Sequence, residues 1–267
     1  MPDDAVYTHG HHDSVLRSHR WRTAANSAAY LLPHLSPGQV LLDIGCGPGT
    51  ITLDLAQHVA PGKVTGIDAS AAVIAEARAD AERLGSSVTF AVGDAYALDL
   101  PDASVDVVHA HQVLQHLADP VAALREWRRV CRPGGIIAAR DADYSCFGWY
   151  PAAPELDQWL SLYRLAARAN VGEPDAGRHL LAWAHAAGLR DVTATASMWC
   201  FATPDDRAWW AATWAGRVSS SAFGEQLLRD GHATRAEVDA IAAAFVSWAD
   251  DPDAVFTIPH VEIIAIA

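Results

Sequence analysis

The chain has 267 residues, of which 51% are hydrophobic, and a formal net charge of −13. That length can bury a sizeable core, as one elaborated domain or two small ones, and the acidic balance without a basic stripe argues against a nucleic-acid partner. The cysteines Cys46, Cys131, Cys146 and Cys200 are widely spaced with no C-x-x-C pair, so neither a zinc knuckle nor a disulfide framework is indicated, and reduced thiols in a cytoplasm are expected.

Residues 1–12 are polar and lack the apolar core of a secretion signal, and no later run reaches membrane-spanning length. His9, His11 and His12 lie close together, but adjacent histidines without Cys or carboxylate partners at helical spacing do not make a metal site, and none is expected. Ser14 to Leu35 reads as a helix with Leu16, Trp21, Ala24, Ala28, Leu31 and Leu32 on an apolar face, broken by Pro33 to Gly38.

Val40 to Ile44 is the near-continuous apolar run of a strand covered on both faces, as in parallel sheets. Gly45, Gly47 and Gly49 follow, where the backbone can take positive φ and pass close to a ligand. Thr50 to Val59 then carries Ile51, Leu55 and Val59 at helical spacing, so the glycine turn opens a helix whose first amides face the same crevice. A nicotinamide dinucleotide fingerprint would place glycine at position 50, where this chain has Thr.

The stretch Asp43-Ile44-Gly45-Cys46-Gly47-Pro48-Gly49 resembles motif I of the class I S-adenosylmethionine (SAM)-dependent methyltransferases, an acidic residue followed by Gly-x-Gly-x-Gly. The resemblance implies an α/β fold: a Rossmann-like, seven-stranded, mostly parallel sheet with an antiparallel edge hairpin and helical lid insertions. It also places the N-terminal segment over the cofactor and substrate mouth. Tyr7, His11, His12, Arg17 and Arg20 are then candidate lid residues, with Tyr7 a candidate for catalysis.

Val64 to Asp68 is the second strand and ends in a carboxylate. Such a residue accepts from ribose hydroxyls in nucleoside-binding sheets, while Ser70 is the better N-cap for the helix Ala71 to Leu84. Val88 to Val92 is the third strand. After it, Asp94 resembles the family residue that accepts from the adenine amine, with the Ala95 amide beside it. Val105 to Ala110 is the fourth strand, and His111-Gln-Val-Leu-Gln-His116-Leu resembles the corresponding region of the ubiquinone and menaquinone biosynthesis type of small-molecule methyltransferase.

In that group the backbone after the fourth strand binds the methionine part of SAM, here Ala110 and His111. The expected cofactor set is Asp43, Gly45, Cys46, Gly47, Asp68, Ala69, Ser70, Gly93, Asp94, Ala95, Ala110 and His111. His111, at a strand end where ligands collect, is also a candidate general base or else a cofactor-shell side chain. His116 is expected to pack within its helix, and His109 to be a satisfied core histidine.

Asp119-Pro120 caps the helix Val121 to Val130, and Arg132-Pro133-Gly134-Gly135 leads into a fifth strand, Ile136 to Arg140. Asp141 and Asp143 follow at its expected exit, candidates to hold a substrate hydroxyl or amine or to cap the next turn. Phe147, Trp149 and Tyr150, then Trp159, Tyr163 and Trp183, run through a stretch that holds two helices, about 155–170 and 175–187. A sixth strand, Val192 to Thr203, then precedes helices within 204–250 and a last strand, Val255 to Ile266. Most of the 10 tryptophans should be core, with Trp149, Tyr150 and Trp210 candidate walls of a flat apolar pocket.

The expected organisation is one compact domain: an N-terminal helical lid (1–35), a SAM-binding core (36–142), a helical substrate-side segment (143–190) and edge strands with a helical insertion (191–267). The expected activity is SAM-dependent methyl transfer to an O, N or C nucleophile of a small molecule, with S-adenosylhomocysteine as product. A SAM-binding enzyme of other chemistry, a SAM sensor and an NAD-dependent dehydrogenase are the alternatives, and a homodimer is possible.

Overall fold

The computed structural model describes residues 21–267. Thr23 Oγ1 accepts from Asn26 N and Asn26 Oδ1 accepts from Thr23 N, a capping box that starts the short helix α1 (Ala24–Ser27). Ala28 leaves helical geometry at φ −136°, and a 3-10 turn follows at Leu32–His34. The long helix expected over Ser14 to Leu35 is therefore interrupted in its described part. The cap starts a helix at Ala24, and the chain then bends so that Ala28 and Leu31 bury with the core of one sheet face. Residues 14–20, with Tyr7, His9, His11, His12, Arg17 and Arg20, lie outside the described residues.

From there strand and helix alternate: β1 (Leu41–Ile44), α2 (Thr50–Val59), β2 (Val64–Asp68), α3 (Ala71–Arg83), β3 (Thr89–Val92), β4 (Val105–His111), α4 (Pro120–Val130) and β5 (Cys131–Ala142). The strands pair in parallel in the order β3-β2-β1-β4-β5. The apolar run of β1 divides between two cores: Leu42 and Ile44 join the cluster under α4, while Leu41 joins the one under α1, α2 and α3. Both faces of the strand are covered, which is why it lacks the alternation of a half-exposed strand. Asp119 begins α4 by accepting from Ala122 N at 2.9 Å, with Pro120 at the first helical position.

After β5 come β6 (Gly148–Tyr150), α5 (Pro154–Ala169), α6 (Leu180–Ala186), β7 (Arg190–Phe201), α7 (Pro204–Ser220), α8 (Ala222–Arg229), α9 (Arg235–Asp250) and β8 (Val255–Ile266). β8 runs antiparallel to β5 on one side and to β7 on the other. The sheet thus has eight strands, because the three-residue β6, too short to leave a hydrophobic pattern, continues the line of β5 along β8. β5 is also longer than expected. Its pairing with β8 runs on to Ala142 and His260, so Asp141 sits inside a strand rather than at its exit.

A third core lies beyond the sheet, where α5, α7, α8 and α9 close around Trp159, Trp214, Phe223, Phe245 and Phe256. No helix among the described residues is long and apolar enough to cross a membrane.

Candidate active site

The glycine loop is held by packing and by two carboxylates. Gly45 has φ +64° and a Cβ there would run into the Val113 side chain, while Gly49, at φ +83°, lies against the Phe90 ring. Larger residues fail at both positions on space as well as on conformation. Asp43 is buried with both oxygens engaged: Oδ1 lies 2.7 Å from His109 Nδ1, and Oδ2 accepts from Thr52 Oγ1 at 2.5 Å. It ties β1 to β4 and α2 together directly beneath the loop. His109 is fully buried in that pair. Asp68 Oδ2 accepts from Gly47 N at 3.1 Å and its Oδ1 from Ser70 N at 2.9 Å, so the end of β2 clamps the middle of the loop.

These strand ends open on a cavity of about 1190 Å³. Asp43, Gly45, Cys46, Gly47, Asp68, Ala69, Ser70, Gly93, Asp94, Ala95 and His111 all line it. Ala110 does not; it is fully buried in the cluster under α4, because the side chains of β4 alternate and that of His111 takes the cavity side. Asp94 Oδ1 accepts from Tyr96 N at 2.8 Å, the local turn common for Asp, and the residue stays on the cavity wall. An ionised carboxylate offers about four lone-pair positions, so Asp68 and Asp94 keep capacity for ligand hydroxyl and amine donors.

His111 stands where this acid-bearing end meets an aromatic one. It is 5% exposed, and neither ring nitrogen has a partner. Burial, reinforced by the positive charges of Arg22 and Arg140, holds its pKa well below the usual histidine value, so the imidazole is neutral. His260 lies beside it, ring centroids 6.0 Å apart. His260 Nδ1–H donates to Ile258 O at 3.0 Å, and its Nε2 accepts from Gln112 Nε2 at 2.8 Å; Gln112 Oε1 in turn accepts from Arg22 at 2.7 Å. Gln112 takes the left-handed φ of +54°, an uncommon conformation for that residue, directly after His111. His116 is half-buried on the cavity wall, and its pKa is pushed down to about 3, by desolvation first and then by Arg22.

Asp141 is off the cavity wall, contrary to the expectation of a substrate contact. It is fully buried, its Oδ1 accepts from Gln115 N at 3.1 Å, and burial pushes its pKa up to about 7 against that hydrogen bond. The extra length of β5 is what withdraws it. Asp143 forms a two-pronged pair with Arg178, at 2.6 and 2.8 Å, rather than facing the cavity. Trp149 and Tyr150 are also displaced: Trp149 stacks on Phe256 at 5.5 Å, and Tyr150 is exposed. Both belong to β6, whose pairing with β8 carries them away from the opening.

The aromatic end is instead lined by Trp21, Tyr144, Phe147, Trp199, Phe201, Trp209, Trp210 and Trp214, with Arg22 and Arg217. Of the three aromatic residues proposed as walls from the sequence, Trp210 is there. Arg217 is 4% exposed, with its guanidinium carbon 4.9 Å from the Trp214 ring centroid. Sequence reasoning missed Arg217, Trp199, Gln112 and His260. Two signals were present: Trp210, Trp214 and Arg217 repeat at helical spacing, and Trp199 and Phe201 share one face of a strand by alternation. Nothing local marked His260.

Residues 42–139 match the family described as a methyltransferase domain. An uncharacterized methyltransferase of Schizosaccharomyces pombe is 35% identical over 260 residues, spanning 93% of this chain and 92% of that protein. The crystal structure of the YcgJ protein from Bacillus subtilis is similar with a TM-score of 0.60 at 21% identity, over 89% of this chain and 96% of that one. Phosphoethanolamine N-methyltransferase 2 of Haemonchus contortus in complex with S-adenosyl-L-methionine aligns with all of this chain (100%) and 61% of its own, TM-score 0.61 at 16% identity.

Proposed function

The chain belongs to the SAM-dependent methyltransferases, and from that premise we propose that it methylates an oxygen, nitrogen or carbon nucleophile of a small molecule seated at the aromatic end of the cavity. The observation that carries this reading is the joining of two unlike halves in one space of about 1190 Å³, carboxylates at one end and tryptophans at the other. Sites for one small ligand commonly enclose about 300 to 1,000 Å³, and this volume suits a cofactor and an acceptor side by side.

SAM supplies an electrophilic methyl group, released as the carbon–sulfur bond breaks. The residues fit such a group: Asp68 for the ribose hydroxyls, Asp94 and the Ala95 amide for adenine, and the Gly45 to Gly47 loop with the backbone after β4 for the amino-acid part. The chain's own work is to hold the acceptor in line and to keep water out, which alone can account for much of the rate of a displacement. His111, neutral and without a hydrogen-bond partner, is the side chain suited to take a proton from the nucleophile. The lid role of residues 1–35, including Tyr7, and the cytoplasmic, homodimeric state remain part of the proposal.

Incubation with methyl-labelled SAM and separate panels of small molecules, proteins and RNA tests it. Label in a small-molecule fraction with equal S-adenosylhomocysteine release is the expected result; label entering only the macromolecular panels overturns it.

A further inference from the structure

Resting on the methyl-transfer reading, we infer that the acceptor is a flat aromatic compound with an acidic hydroxyl as nucleophile and a second, anionic oxygen group remote from it. The aromatic end of the cavity is an ordered wall. Trp199 touches Trp21 at 5.1 Å, Trp21 touches Phe201 at 5.4 Å, Phe201 stacks on Trp210 at 4.5 Å, and Trp210 meets Trp214 at 5.8 Å. Such a series of ring faces and edges matches a planar ligand better than a branched aliphatic one.

Each end of the wall carries a guanidinium. Arg22 lies 5.6 Å from the Trp199 centroid, and Arg217 lies 4.9 Å from that of Trp214. Among the described lining residues, every permanently charged side chain of this half is cationic; the lining carboxylates, Asp43, Asp68, Asp94 and Asp119, belong to the other half. The Trp210 indole N–H is buried without a partner, adding an oxygen-seeking donor between the arginines. In a chain of net charge −13 this local reversal of sign favours an anion over a cation.

The Trp199 end also holds His111, 5.5 Å from the ring, and so marks where the nucleophile sits. A neutral imidazole that resists protonation is a weak base, suited to a phenolic or enolic hydroxyl and poorly suited to an alkyl alcohol. The hydroxyl proton passes to His111, the oxygen bonds the methyl carbon as the carbon–sulfur bond breaks, the bonding pair stays on sulfur, and the imidazolium returns its proton to water. Arg22 favours the forming oxyanion, and Arg217 holds the remote anionic group.

The test uses protein saturated with S-adenosylhomocysteine, titrated with 6-hydroxy-2-naphthoate, its carboxamide and 6-(aminomethyl)-2-naphthol, and read by tryptophan fluorescence and calorimetry. The acid should bind at least tenfold more tightly than the amide, and the amine most weakly. Arg217→Gln should lose that preference while its affinity for the amide is kept, and Arg217→Lys should restore part of it with unchanged S-adenosylhomocysteine binding as the check on folding. Equal binding of all three probes, no binding of any, or a preference for the amide or amine overturns the inference. With SAM in place of the product, binding of the acid without methylation upholds the acceptor class and overturns methyl transfer, whereas turnover of the amide or amine alone overturns the class and leaves the transfer standing.

Discussion

The imidazole of His111 lies against the indole of Trp199, centroids 5.5 Å apart and planes inclined at 50°. One ring ends the central parallel strand β4 and the other faces inward from the edge strand β7, so the contact marks the seam between the carboxylate-lined end and the aromatic end of the cavity.

If His111 takes the acceptor proton, His111→Gln should lower kcat by about 10²-fold or more with cofactor affinity unchanged. Because its pKa lies well below the ordinary 6.5, the wild-type rate should hold level as pH falls through 6.5 and decline only further down. A substitution without effect on kcat, or a rate already halved near pH 6.5, would remove the role.

Asp68 fastens Gly47 and Ser70 and, on the proposed reading, takes ribose hydroxyls. Asp68→Ala should weaken S-adenosylhomocysteine binding by about tenfold to a hundredfold, the 1.5–3 kcal/mol of a hydrogen bond to a charged group, with Asp68→Asn losing less. Calorimetric titration checks it, and wild-type affinity in Asp68→Ala would refute it.

His111 and His260 are buried and His116 half-buried, and all three have lowered pKa values. Below pH 6.5 the unfolded chain binds protons that the folded chain refuses, so stability should fall as pH drops, each histidine steepening the slope by up to about 1.4 kcal/mol per pH unit. Urea unfolding at pH 7.5 and 5.5 measures this. In His116→Gln the slope should be shallower; an unchanged slope contradicts the assignment.

Asp141 acts in the opposite direction. Its folded pKa, about 7, stands above the ordinary 3.8, so it destabilises the fold increasingly as pH rises between those values. Asp141→Asn, which can still accept from Gln115 N, should stabilise the protein by about 2 to 3 kcal/mol more at pH 8 than at pH 5. Equal stabilisation at both pH values would show that the carboxyl does not titrate as described.

The sequence by itself determined the carboxylate-lined half of the cavity. Val40 to Ile44, the glycine turn and Thr50 to Val59 are contiguous, Asp68 closes a strand legible from its own apolar run and Asp94 follows another by two residues, so short-range chemistry carries the pattern. The alternation of β1 to β5 follows from the same local periodicity. Tertiary structure decided the aromatic half. Whether Asp141 meets a ligand depends on how far β5 pairs with β8, and whether Trp149 or Trp199 faces the cavity depends on the side of β8 to which each strand adds. His260 and Arg217 owe their places to a strand and a helix that reach the cavity only after the chain has folded back on the sheet edge. Pairing partners distant in sequence set those positions, and no local propensity encodes them.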